Sequence, residues 1–189
     1  MRSILKVNWD SNLPIYEISH SELKEKGIHS LLLDVDGTLV NRKSNMIPKA
    51  VKNWIIESKK LFSLYLISNN PSKKRIAKLA KELNLSYKYN ASKPRNKVTL
   101  SAIKEIGSEP KNIAIIGDRI FTDIIVGNRC NIKTILVKRL KRDGLPIKFN
   151  LTLTIEKLIG IQIYQYMRFL NLNCKKKEFF FYYLTLMEP

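Results

Sequence analysis

The ten residues LLLDVDGTLV at positions 31–40 constrain the fold more than any other stretch of the chain. An unbroken apolar run, Leu31 to Leu33, flanked by turn formers, suits a strand buried on both faces, and such strands belong to parallel sheets covered by helices. Two carboxylates, Asp34 and Asp36, stand at its C-terminal end, where open α/β sheets bind ligands. Alternation with period two along the strand sends both side chains the same way. Two anions held that close repel each other unless a divalent cation lies between them, so the spacing predicts a hard, oxygen-liganded ion such as Mg2+. A strand-end turn with solvated aspartates would explain the segment equally well, and the rest of the chain decides between them.

Three later segments each add a part. Leu64 to Asn70, LYLISNN, is a second apolar run ending in hydroxyl and amide donors, Ser68, Asn69 and Asn70. Ala91 to Pro94, ASKP, sets Lys93 before a proline that suits the start of a helix. Ile113 to Ile124, IAIIGDRIFTDI, delivers Asp118 and, five residues on, Asp123. Singly these are weak: a serine in a turn, a solvated lysine, acids capping a helix. Together, each after a strand-like run, they supply what phosphoryl chemistry requires.

The order Asp, Ser, Lys, Asp/Asp resembles the haloacid dehalogenase (HAD) superfamily of phosphohydrolases over roughly residues 28–138. Within it, GIHSLLLDVDGTLV, SNNPSKKRIAKLAKELN, ASKP and IIGDRIFTDIIVGNRCNIKTILV are similar to the lidless phosphatidylglycerophosphate phosphatases of the mitochondrial and bacterial YqeG-like type. Gly37 departs from that group, whose first motif often reads DNTL. The resemblance implies that Asp34 is the nucleophile, forming an aspartyl-phosphate, and that Asp36 protonates the leaving alkoxide and then activates water. It further implies Mg2+ held by Asp34, the Asp36 backbone carbonyl and Asp118, with Asp123 behind or as an alternate ligand, and phosphoryl oxygens held by Ser68, Lys93 and Asn69. Members commonly insert a lid after the first motif or between the second and third. Here about thirty and about twenty-five residues fill those gaps, enough for one helix and strand each. The expected site is therefore open, and suits a phosphate on a large carrier.

The alternation along the chain predicts a three-layer, Rossmann-like α/β fold with a mostly parallel five-stranded sheet and no cap domain. The strands are expected near 29–35, 62–67, 86–89, 112–117 and 133–138, with helices near 19–26, 48–60, 71–83, 95–106 and 121–130. An apolar stripe of Val51, Trp54, Ile55 and Ile56 is expected on the second of these helices. The organisation reads as an N-terminal segment 1–27, a phosphatase core 28–145 and a basic, aromatic extension 146–189 with Lys175 to Lys177 and EFFFYYLTLMEP.

Charge bears on partners. Of the net +18, residues 41–104 carry +14, sixteen Lys or Arg against two Glu, around the first three motifs. Such a field concentrates anions: an acidic membrane surface, phosphates or nucleic acid. No run approaches the roughly 18 apolar residues of a membrane span, and no secretory signal is recognised, so the expected location is cytoplasmic, peripheral on a membrane. Cys130 and Cys174 lack metal-type spacing. The expected substrate is an anionic phospholipid, phosphatidylglycerophosphate; the alternatives are nucleic-acid ends, phosphoproteins, or a non-catalytic phosphate-binding scaffold.

Overall fold

A computed structural model of the chain describes residues 4–147 together with 154, 155, 158 and 159. The chain divides into two compact units, Met1–Leu153 and Thr154–Pro189, and the first contains the sheet. Expectations for the lysine triplet, the aromatic run and Cys174 fall outside the described residues. Cys130 is a buried free thiol.

The strands are β1 (Trp9–Asp10), β2 (Ser30–Leu33), β3 (Ser63–Ile67), β4 (Ser86–Lys88), β5 (Ile113–Gly117) and β6 (Lys133–Leu136). They form one parallel sheet in the order β1-β6-β5-β2-β3-β4. Six strands stand where five were expected. The additional one is β1, two residues of the N-terminal segment laid on β6, too short to betray itself by alternation.

The helices are α1 (His20–Glu25), α2 (Lys49–Lys59), α3 (Lys73–Leu83), α4 (Lys97–Ile106) and α5 (Ile125–Arg129), the last entered through a π-helical turn at Ile120–Ile124. Because side chains alternate along each strand, the sheet feeds two cores. Leu31, Leu33, Leu66, Ala114 and Ile116 pack with Leu23, Val51, Trp54, Ile76 and Leu79 of α1, α2 and α3. Leu32, Tyr65, Ile67, Ile113 and Ile115 pack with Ala102, Ile103 and Val126 of α4 and α5. Leu31, Leu32 and Leu33 are all fully buried, as a strand covered on both faces requires.

Local chemistry sets the helix ends. Helix α3 begins two residues after Pro71, where the Ser72 hydroxyl accepts from the Arg75 amide, and ends at Asn84 in the left-handed conformation. Its expected inward set, Ile76, Leu79, Ala80 and Leu83, is buried. In α2 the buried positions are Val51, Trp54, Ile55 and Ser58, whereas Ile56 is 55% exposed. Residues 51, 54, 55 and 58 follow the helical period; position 56 falls off that stripe.

The path of the chain locates the site. From β2 it steps through β3 to β4, then returns to the other side of β2 to lay down β5 and β6. The reversal lies between β2 and β5, and the crevice beyond the carboxyl ends of that pair is where open sheets bind ligands.

Candidate active site

Strand β2 stops at Leu33, and the Asp34 amide then donates to the Ile116 carbonyl at 2.9 Å. Asp34 and Asp36 therefore lie beyond the strand, in a turn where Gly37 takes a φ of +103°. This corrects the period-two expectation: the two side chains do not share one partner set. A Cβ at Gly37 would come within 2.6 Å of the Asp118 carboxylate, so the turn both needs the left-handed backbone and lets Asp118 in.

Asp34 enters an inner nest. Lys93, 3% exposed, places Nζ 2.6 Å from Asp34 Oδ1 and 2.6 Å from Asp123 Oδ1, and also donates to the Ile67 carbonyl at 3.2 Å. Thr38 Oγ1 donates to Asp34 Oδ2 at 3.0 Å. Ligand atoms of Asp34, Asp118 and Asp123 all lie within 4.8 Å of one another. Asp123 fits beside β5 because Gly117 has no side chain: a Cβ there would meet the Asp123 carboxyl at 2.3 Å. Arg139, from the loop after β6, donates through Nε to Asp118 Oδ2.

The electrostatics follow from this crowding. Burial, then the Asp34 charge, pushes the Asp118 carboxyl up to about 6 against the pull of Arg139. Burial pushes Asp123 up to about 7, with Asp34 and Asp118 adding to it and Lys93 opposing. Burial works against the charge on Lys93, but Asp123 and Asp34 outweigh it and raise its pKa. Lys93 and Arg139 pair with these carboxylates, Arg42 adds its field at Asp118, and Asp118 Oδ1 is buried without a hydrogen-bond partner. Such an orphaned acceptor costs about 1–3 kcal/mol, which a hard cation at that point would offset. The donor set fits a divalent metal.

Asp36 enters an outer corner instead. Asn70 Nδ2 donates to its Oδ2 at 3.0 Å, Ser68 Oγ approaches the same oxygen at 3.4 Å, and Arg75 Nη1 lies 2.7 Å from Oδ1. Ser68 is fully buried and also accepts from the Asn70 amide at 3.1 Å. Asn69, expected as a second phosphate donor, is otherwise engaged: its Nδ2 donates to the Lys93 carbonyl at 2.9 Å and its Oδ1 accepts from the Lys93 amide at 2.7 Å. It clamps the loop that carries Lys93.

Nest and corner open into a cavity of about 270 Å³ lined by Asp34, Asp36, Asn70, Lys93, Asp118 and Asp123, with Arg42, Asn69, Arg119 and Thr122 completing the wall. Of the seven residues expected at the site, Asp34, Asp36, Asn69, Lys93, Asp118 and Asp123 line this cavity, and Ser68 stands behind Asp36. Sequence reasoning counted Asn70 among the amide donors that end LYLISNN, and missed Thr38, Arg75 and Arg139 as members. Arg75 lay in a lysine-rich helix and Arg139 in a basic stretch, where each resembled a solvated charge.

Residues 90–144 match the family model described as HAD-hydrolase-like. Over 138 residues the chain is 30% identical to the probable phosphatase YqeG of Bacillus subtilis (strain 168), which spans 72% of this chain and 80% of that protein. Among solved structures, an uncharacterized protein from Listeria monocytogenes serotype 4b shares the fold at a TM-score of 0.50 and 15% identity, over 66% of this chain and 84% of that one.

Proposed function

Because the chain belongs to the YqeG family of HAD-like phosphatases, we propose that it hydrolyses a phosphomonoester through an aspartyl-phosphate on Asp34, with Mg2+ as its metal and phosphatidylglycerophosphate at a membrane surface as its substrate. The observation that carries the reading is the buried Asp34–Lys93–Asp123 bridge beside Asp118 at the switch point of the sheet. Asp34 and Asp36 both line one cavity, so an attacking oxygen and a proton donor face the same space. Asp34 attacks phosphorus in line, Asp36 gives the leaving alkoxide its proton, and the same carboxylate then takes a proton from the water that opens the acyl phosphate. Lys93 holds the nucleophile and offsets charge on the phosphoryl oxygens. Ser68 supports Asp36 from behind, and Asn69 keeps Lys93 in place. When bound by Asp34, Asp118 and Asp123, with the Asp36 carbonyl, the metal supplies positive charge for the transferring group.

The membrane reading rests on what surrounds the cavity. Loop residues 41–48 and 139–146 adjoin: Asn41 Nδ2 donates to the Leu140 carbonyl at 3.1 Å, and Gly144 backs onto Pro48. Both carry exposed apolar tips, Met46 at 81% and Leu145 at 56%, among exposed Arg42, Lys43, Lys141 and Arg142. Apolar tips ringed by cations suit an anionic bilayer better than a nucleic acid. Neither Tyr65 nor Phe121 offers a platform for bases: Tyr65 is buried and donates to Glu105, and Phe121 packs on Ile120, Ile124 and Leu136. Among the described residues no helix is long and apolar enough to cross a membrane.

The test is a Mg2+-dependent phosphate-release screen over phosphatidylglycerophosphate in micelles, 3′- and 5′-phosphorylated oligonucleotides, phosphopeptides and sugar phosphates. Preference for the phospholipid is expected. Preference for an oligonucleotide or a phosphopeptide would replace the lipid, and no release from any would overturn the catalytic reading.

A further inference from the structure

Four basic residues, Lys73, Lys74, Arg75 and Lys78, fall within six positions at the start of α3, and one of them turns inward. The Arg75 side chain is 15% exposed; two of its nitrogens donate hydrogen bonds, and the third forms an ion pair whose two atoms make no hydrogen bond. Nε donates to Asn45 Oδ1 at 2.9 Å, Nη2 donates to the Ser44 carbonyl at 2.9 Å, and Nη1 faces Asp36 Oδ1 at 2.7 Å. Two of these contacts hold the loop that carries Arg42 into the cavity wall; the third holds Asp36. We infer that Arg75 is a positioning residue for proton transfer: it fixes the Asp36 carboxyl against the outer wall, apart from the metal-binding carboxylates, and ties that position to the 41–46 loop, doing in a lidless enzyme part of what a lid would do.

The geometry supports a role beyond charge balance. A lysine could neutralise Asp36, but only a guanidinium offers three separated donors to reach Asp36, Ser44 and Asn45 together. Asn70 grips the other Asp36 oxygen at 3.0 Å, so the carboxyl is held at both ends. Without Arg75 the carboxyl is held at Oδ2 alone, by Asn70 and the longer contact from Ser68, and can turn about that end toward the nest, where its proton is of no use to a leaving group.

The inference rests on the proposed acid role of Asp36, and leaving-group dependence separates the two. An alkyl phosphate needs its departing oxygen protonated, whereas p-nitrophenyl phosphate departs with little help. Asp36→Asn, Arg75→Met and Arg75→Lys are to be compared with wild type in Mg2+ on both esters, with circular dichroism checking the fold. We expect Asp36→Asn to lose about 1,000-fold in kcat/KM on the alkyl ester and about tenfold on the aryl ester, because kcat/KM reports the step that expels the leaving group and not the later hydrolysis, common to both esters, that Asp36 also serves. Arg75→Met should show the same pattern at about 100-fold and a few-fold, with Arg75→Lys between it and wild type. Equal losses on both esters in the Arg75 variants, beside a discriminating Asp36→Asn, would overturn the positioning role and leave the acid role standing. No discrimination in Asp36→Asn would remove the acid role and the inference with it.

Discussion

Asp34 and Asp36 are two residues apart in sequence and sit in opposite kinds of environment. The inner nest holds Asp34 with two further carboxylates under Lys93 and Arg139, buried and fitted for a metal. The outer corner holds Asp36 alone, gripped by Asn70 and Arg75 with its charge already matched. The strand end makes the difference. Had β2 continued to residue 36, both side chains would have pointed one way; the turn at Gly37 separates them and lets one motif serve two chemistries. A nucleophile must be kept ionised and fixed next to the metal, while a proton donor must exchange its proton with substrate and water.

The largest effect that could break this division is on turnover. Asp34→Asn should lower Mg2+-dependent activity by about 10,000-fold or more on any ester, because an amide cannot carry the phosphoryl group, while circular dichroism stays as in wild type. Activity within tenfold of wild type would remove Asp34 as nucleophile and erase the contrast with Asp36.

Next comes stability. Lys93→Met leaves Asp34 and Asp123 buried without their cation and should destabilise the metal-free protein by about 3–5 kcal/mol in urea unfolding. Arg75→Met, at a partly exposed corner, should cost far less. Equal losses would mean that nest and corner do not differ in burial as described.

Protons provide a finer measure. The folded-state pKa values of Asp118 and Asp123 are raised to about 6 and about 7 from an ordinary 3.8, so the folded protein binds protons that the unfolded chain releases. Their contribution to stability is full below pH 3.8 and is lost as pH rises through about 6 to 7. In a chelator the melting temperature should fall by roughly 5–10 °C between pH 5 and 8, whereas excess Mg2+, replacing those protons, should flatten the curve. A flat curve in the chelator would show that the nest carries no strained charge. Calorimetric Mg2+ titration of Asp118→Ala complements this: affinity should fall much more than stability, and unchanged affinity would take Asp118 out of the metal set.

The smallest effect lies on the rim. Met46→Ser with Leu145→Ser should lower activity on lipid in anionic vesicles by about tenfold and leave a soluble phosphate ester unaffected, with vesicle binding weakening in salt. Equal loss on both substrates would assign these side chains to the fold.

How far the sequence revealed this arrangement depends on how each residue reached the site. Asp34, Ser68, Lys93 and Asp118 lie at or just beyond the ends of apolar runs, and chain order with buried-strand patterning was enough to bring them together. Asp123 was legible from its place just after the strand that delivers Asp118. Arg75 and Arg139 were not, because nothing in KKRIAKLA or KRLKRDG distinguishes a charge turned inward from one in water; packing of α3 on the sheet and return of the chain after β6 decide it. Asn69 was placed correctly and given another task, since its side chain satisfies the backbone of Lys93. The same limit explains β1, whose two residues are a strand only because the edge of β6 is there to receive them.

That last pairing has a temporal side. Strand β1 is the first to leave the ribosome and β6 the last, yet they are neighbours, with the Ser11 amide bonded to the Leu136 carbonyl and the Lys138 amide to the Leu13 carbonyl. The N-terminal segment must wait, unpaired, through synthesis of more than a hundred residues before its docking edge exists. Arg139 arrives in the same closing moments to meet Asp118. The sheet thus gains its outer edge, and Asp118 its arginine, almost together, so both wait on the segment that begins with β6.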